Sequence, residues 1–272
     1  MKRKIILSSV GIAALIISCA KNPFTGKSTL ALVPNSEILP SAFQQYNQFL
    51  TENKVITGTT DAKKVETVGT KIKVAAEKWL NANGYNDYLA GYAWEYKLVD
   101  SKEVNAWCMP GGKIVVYSGI LPITKNDAGL ATVLGHEVSH ALANHGQQRM
   151  SAEMLSQLGA VGVGAAVGGK SAATQQIAMT AYGAATQYGG ILPFSRNHEL
   201  EADRIGLLLM AIAGYNPDEA VSFWERMSAQ SNGQAPAEFA STHPSDANRI
   251  AQIKELIPSV KAEAAKFGVT FK

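Results

Sequence analysis

Two histidines four residues apart with a glutamate after the first, His136-Glu137-Val138-Ser139-His140, can hold a metal ion and move a proton beside it. On a helix that spacing brings both imidazoles to one face, about 400° apart at 100° per residue, so they can close on one ion. The chemistry is that of a zinc hydrolase: the metal acidifies water and the carboxylate of Glu137 acts as general base. The run Asn126 to Gly135 supports a helix there, with Asn126 or Asp127 as N-cap and apolar Leu130, Val133 and Leu134 at helical spacing.

A catalytic zinc usually takes three protein ligands, so one must come from elsewhere. A metzincin extension would need Gly at 143 and His at 146, where this chain has Ala143 and Gly146. His145, five residues past His140 and about 140° around the helix, is expected to point away from the metal. No acidic residue occurs between Glu153 and Glu199. The next cluster is His198-Glu199-Leu200-Glu201-Ala202-Asp203-Arg204, in which Glu199 and Asp203 share a helix face and Glu201 lies on the other side. Glu199 can therefore ligate while Asp203 braces a ligating imidazole from behind, and a solvated charged face is the plain alternative. His198 reads as a surface or capping residue.

These motifs must be carried by a mainly helical α+β domain. Helical periodicity predicts helices over 36–53 and 61–82, the second with Val65, Val68, Ile72, Ala75, Ala76 and Trp79 inward and Asn83-Gly84 as its stop. Strands are expected over 92–99 and 103–117, the latter broken by the turn Met109-Pro110-Gly111-Gly112. Lys113 to Tyr117 is either a core strand or an edge that accepts an extended peptide. Weakly apolar helices joined by Gly168-Gly169 and Gly189-Gly190 are expected as a lid or the lining of a groove over the metal, in preference to a membrane hairpin because Gln and Thr interrupt 171–188. Further helices are predicted over 198–213, 217–230 and 245–256.

The N-terminus pairs Lys2-Arg3-Lys4 with an apolar stretch from Ile5 to Ser18, the pattern of a secretory signal peptide over 1–18, with a retained anchor as the weaker alternative. Ile16-Ile17-Ser18-Cys19 resembles a bacterial lipobox, which makes Cys19 a lipidation site, 19–35 a tether and 36–272 the folded domain. A membrane contact through that lipid follows, and with Ala20 the expected location is the outer membrane facing the periplasm. The formal charge of +3 belongs to Lys2, Arg3 and Lys4, so their removal brings it to 0 and nothing argues for nucleic acid. With Cys19 lipidated, Cys108 has no disulfide mate and reads as a small buried hydrophobe. Oligomeric state is not readable.

His136-Glu137-x-x-His140 with Glu199-x-x-x-Asp203 resembles the paired signature of metallopeptidase family forty-eight, and the chain is most similar to its single-domain periplasmic lipoprotein branch, LoiP- and BepA-like. The stretch Asn105 to Gly112, the triplet Glu201-Ala202-Asp203, and Thr242-His243-Pro244 with Arg249 match as well, so the resemblance spans roughly 30–257. It implies a compact zincin-type domain with a small sheet beside the metal helix, one Zn2+ held by His136, His140 and Glu199, and Asp203 behind them. It also implies substrate contacts at Asn105, Gly111 and Gly112, and catalytic roles for His243 and Arg249 as oxyanion donors. His243 has a second implied role, a reversible fourth ligand. The expected function is zinc-dependent hydrolysis of peptide bonds in unfolded or misassembled envelope proteins. The alternatives are an envelope chaperone with a structural zinc, or a zinc hydrolase acting on non-peptide amides.

Overall fold

A computed structural model of the chain describes residues 19–230, 243 and 247–271. The expected signal peptide over 1–18 lies outside the described residues, as do Thr242 and Pro244.

The sheet beside the metal helix has four strands, β3 (Val55–Ile56), β4 (Glu95–Val99), β5 (Ala106–Met109) and β6 (Lys113–Tyr117), in the order β3-β4-β6-β5. β4 and β6 pair in parallel, Glu95 opposite Lys113, while β5 folds back antiparallel on β6 with Cys108 opposite Ile114. β6 is thus bonded on both sides, and Ile114, Val115 and Val116 are fully buried. Of the two readings of Lys113 to Tyr117, the core strand holds and the peptide-accepting edge is corrected: β5 takes that side, because the chain crosses past β6 between 100 and 105 and returns. The return is a tight turn in which Gly111 and Gly112 adopt φ of 85° and 81°. A Cβ on Gly112 would enter the ring of Trp94 and one on Gly111 the ring of Phe43, so both glycines are required by backbone and packing.

Helices α1 (Asn35–Glu52) and α2 (Thr60–Ala82) fall where periodicity places them. Thr59 caps α2 through its hydroxyl, which accepts from Ala62 N at 3.1 Å, and Val65, Val68, Ile72, Ala76 and Trp79 face the core. After a short α3 (Leu121–Thr124), Asn126 caps α4 (Asp127–Leu142) by accepting from Gly129 N at 2.8 Å. α4 is buried along nearly all of its length, with Leu130, Val133, Leu134, Val138 and Leu142 at or near zero exposure. A central helix of this kind must have helices on several faces. α2, α7 (Leu192–Ile212) and α8 (Glu219–Gln230) supply them, and α9 (Ala247–Ala265) closes over α7 and α8. α9 runs nine residues past the predicted stop at 256, carried by buried Ile257, Val260 and Ala264.

α5 (His145–Val167) and α6 (Ala172–Thr186) form a hairpin tied by the Tyr182 hydroxyl, which donates to Ser156 O at 2.8 Å. α6 buries none of its residues, and Val161 and Ile177 are 71% and 70% exposed. This segment, expected as a lid or groove lining over the metal, stands out from the core, and a π-turn over 187–191 leads from it into α7. Among the described residues no helix is long and apolar enough to cross a membrane.

Residues 19–35, expected as a tether, carry a two-stranded hairpin, β1 (Cys19–Lys21) with β2 (Ser28–Leu30). Phe24 stacks on Trp79 at 4.2 Å between ring centroids, Leu32 N donates to the Ser151 hydroxyl at 3.1 Å, and buried Asn22 reaches Glu201. Their apolar and amide groups find partners on the body, which is why the segment is docked rather than free.

Candidate metal centre

α4 brings His136 and His140 to one face, as the spacing requires, and α7 crosses it with Glu199 and Asp203 turned toward them. The crossing is close because both helices carry glycine at the contact. A Cβ on Gly135 would lie 2.8 Å from Gly206 O, and one on Gly206 would lie 2.8 Å from His136 N. The two backbones therefore touch, within one residue of the first histidine.

His136, His140, Glu199 and His243 each offer a ligand atom, all within 4.8 Å of one another. His136 Nε2 is 3.1 Å from His140 Nε2, 3.0 Å from His243 Nδ1 and 3.2 Å from a Glu199 oxygen. The other Glu199 oxygen is 3.4 Å from His140 Nε2, and His243 Nδ1 is 2.8 Å from Glu199. Three ring nitrogens and a carboxylate converging in this way are the nitrogen and oxygen donor set of a tetrahedral zinc site. Glu137 is 4% exposed, and its Oε1 is buried with no hydrogen-bond partner among the described residues, although His243 Nε2 lies 3.5 Å away. A buried orphan oxygen costs stability, of order 1–3 kcal/mol, and such cost is tolerated where the group has work to do. The residues present thus fit a divalent metal with a proton acceptor beside it.

The electrostatics follow from burial and crowding. Burial raises the Glu137 carboxyl above its ordinary value. Burial opposes ionisation of Glu199 also, but His136 and His243 hold it well below the usual carboxylate range. For Asp203 burial is outweighed by Arg249 and His136, so it too is held low. Burial and the neighbouring His136 push His140 well down.

Asp203 stands where a brace is expected: its Oδ1 is 3.0 Å from His136 Nδ1. Arg249 is placed differently from the sequence reading, which expects an oxyanion donor. Its Nε donates to Asp203 Oδ2 at 2.8 Å and its Nη2 to Oδ1 at 2.7 Å, and the guanidinium lies 3.8 Å over the Trp224 ring. At 5% exposure two of its nitrogens engage Asp203 while Nη1 lies 3.5 Å from Glu199, so Arg249 braces the carboxylate behind His136 and faces the carboxylate of the donor set as well. Trp224, which sequence reading passed over, is buried as the shelf beneath it.

Asn105, Gly111 and Gly112 do not join the cluster. Asn105 accepts from Tyr117 N and from its neighbour Ala106, and the glycines serve the β5–β6 turn. The same turn does approach the site through Cys108 and Pro110, which line a cavity of about 50 Å3 with His140. Burial, then Glu137, pushes the Cys108 thiol well up. His198 is a core residue and not a surface one, 4% exposed and stacked on His145. His145 does not point away: α4 ends at Leu142, Asn144 takes the left-handed φ of 56°, and α5 starts again with His145 Nδ1 2.9 Å from His140 Nδ1. Asn tolerates that conformation better than most residues, which is the signal a continuous-helix reading overlooks.

The description "Peptidase family M48" matches residues 70–257. Mitochondrial metalloendopeptidase OMA1 of Schizosaccharomyces pombe is 40% identical over 172 residues, which is 62% of this chain and 48% of that protein. OMA1 of Saccharomyces cerevisiae is 38% identical over 205 residues, 72% of this chain and 55% of that protein. The beta-barrel assembly-enhancing protease of Escherichia coli is 29% identical over 167 residues, 58% and 33% respectively. The chain spans about half the length of the yeast relatives it matches. The expected location, lipid-anchored in an outer membrane, is corrected by these likenesses, since relatives named as mitochondrial stand at higher identity than the bacterial one. With a match that covers more than half of its residues and holds both metal-binding segments, the chain belongs to peptidase family M48.

Proposed function

We propose that the chain is a zinc-dependent endopeptidase, with zinc held by His136, His140 and Glu199 and with unfolded or misassembled polypeptides as substrates. The observation that carries this reading is the buried Oε1 of Glu137, without a hydrogen-bond partner among the described residues, beside a three-nitrogen, one-carboxylate donor set. A closed structural metal site has no use for such an acceptor.

When bound, zinc supplies Lewis acidity, which lowers the pKa of water at the site to about 7 and polarises a carbonyl. Glu137 takes the proton of the attacking water and hands it to the departing amine, a double role suited to a carboxyl that burial has raised. Asp203 accepts from His136 Nδ1 and so keeps Nε2 bare for the metal, while Arg249 holds Asp203 in place. His243 fills the space between the donors and Glu137, so it must swing aside to admit a scissile carbonyl. Catalytic groups this deeply buried favour an extended chain over a folded surface, and the name of the bacterial relative, a protease that enhances assembly, agrees with that substrate class.

The test is incubation with casein and, separately, with peptidoglycan, each with and without a chelator. Chelator-sensitive cleavage of casein alone supports the reading. Cleavage of peptidoglycan alone would move it to non-peptide amides, and stoichiometric zinc with cleavage of neither would leave a polypeptide-binding role.

A further inference from the structure

A chain of hydrogen bonds runs from the back of His140 to the N-terminal hairpin. His140 Nε2 faces the other donors, 3.1 Å from His136 Nε2 and 3.4 Å from Glu199, so on binding a metal that nitrogen is bare and Nδ1 carries the proton. Nδ1 lies 2.9 Å from His145 Nδ1, and two ring nitrogens can share a hydrogen bond only if one is unprotonated. His140 therefore donates and His145 Nδ1 accepts. The proton of His145 must then sit on Nε2, which is 3.2 Å from Glu201 Oε2 and donates to it. The remaining Glu201 oxygen accepts from Asn22 Nδ2 at 2.9 Å.

Each donor in this relay is set by the one before it, and the rings have little freedom. The His145 side chain is 1% exposed and stacks on His198 at 3.9 Å with 9° between planes, while His198 is held by Gln148 at 3.2 Å. His136 meets its bracing carboxylate directly, in Asp203, whereas His140 reaches Glu201 through His145.

We propose that His145 and Glu201 form a positioning pair for His140, a carboxylate relayed through one imidazole, with Asn22 of the N-terminal hairpin holding Glu201 in register. The pair fixes the tautomer and rotation of His140 and makes it a stronger metal ligand. It rests on the metal-centre reading above. It also gives the docked hairpin a part in metal retention, since Asn22, together with Thr25 and Lys27 of the same segment, holds Glu201 against His145.

The test uses the full chain stripped of metal, with zinc affinity measured by chelator competition and the visible spectrum recorded after cobalt(II) loading. His145→Phe keeps an aromatic ring against His198 and removes the acceptor, and it should weaken zinc binding by roughly 10–100-fold. Glu201→Gln keeps the shape and one acceptor but loses the charge, and should weaken binding less, in the same direction. Both should shift the cobalt bands, which loss of stability alone does not do. Asn22→Ala should follow Glu201→Gln. If the wild type takes up zinc and folded variants bind it with unchanged affinity and an unchanged cobalt spectrum, the pair is overturned while the metal centre stands. If the wild type takes up no zinc, both fall. Should His145→Phe fail to fold, Glu201→Gln decides.

Discussion

Gly135 of α4 and Gly206 of α7 meet backbone to backbone, with only 2.8 Å between a would-be Cβ on Gly135 and the carbonyl oxygen of Gly206. This contact sets the distance between the helix bearing two histidines and the helix bearing Glu199 and Asp203. Replacing Gly206 by Ala would gain about 1 kcal/mol of helix propensity, but the new methyl would press on the backbone at His136, and overpacking of this kind costs about 1–3 kcal/mol. The clash should win because backbone cannot swing aside as a side chain can. Thermal unfolding of the metal-free Gly206→Ala protein should show a lowered Tm, and its zinc affinity should fall as well. A raised Tm with normal zinc binding would mean that the helices do not meet so closely.

Arg249 and Asp203 depend on each other in an unequal way. Removing Arg249 strands a buried carboxylate, a loss of order 3–5 kcal/mol, because His136 is then left to balance Asp203. Arg249→Leu should therefore unfold at distinctly lower denaturant concentration than the wild type. Asp203→Asn keeps an acceptor for His136 but leaves buried Arg249 with a neutral partner, so it should also lose stability, though less than Arg249→Leu because Glu199 still lies 3.5 Å from Nη1, and should lose about 10–100-fold in zinc affinity. Equal effects of the two substitutions on stability and on metal binding would contradict this division of labour.

His243 sits among the donors with its second nitrogen 3.5 Å from Glu137, where a substrate carbonyl must come. His243→Ala should leave zinc bound by the other three residues and raise the turnover of an unfolded substrate, by removing the side chain that has to leave. Steady-state kinetics on casein decide the matter. A fall in kcat with KM unchanged would instead mark His243 as a transition-state donor.

The parts of the site readable in the sequence are those in which local geometry fixes the outcome. Four-residue spacing on a helix determines that His136 and His140, and likewise Glu199 and Asp203, share faces, and the acid-free stretch leaves few carboxylates to search. What escapes such reading depends on breaks in regular structure or on non-local pairing. His145 turns toward His140 only because Asn144 ends one helix and starts another. Glu201 lies off the Glu199 face, as its 200° offset dictates, yet α5 brings His145 to that side. That β4 lies on the other side of β6 from β5 follows from a crossover, so strand-level pattern leaves core strand and edge both open, and the choice Arg249 makes between substrate and Asp203 is settled by which buried charge lies nearest.

The central claim is that Glu137 carries protons at a metal held by its neighbours, and Glu137→Gln tests it most directly. The substitution keeps shape and removes the base, so the purified variant should bind zinc with the same stoichiometry as the wild type while its cleavage of casein falls by about 100-fold or more. Cleavage by the zinc-loaded variant at the wild-type rate would contradict the claim.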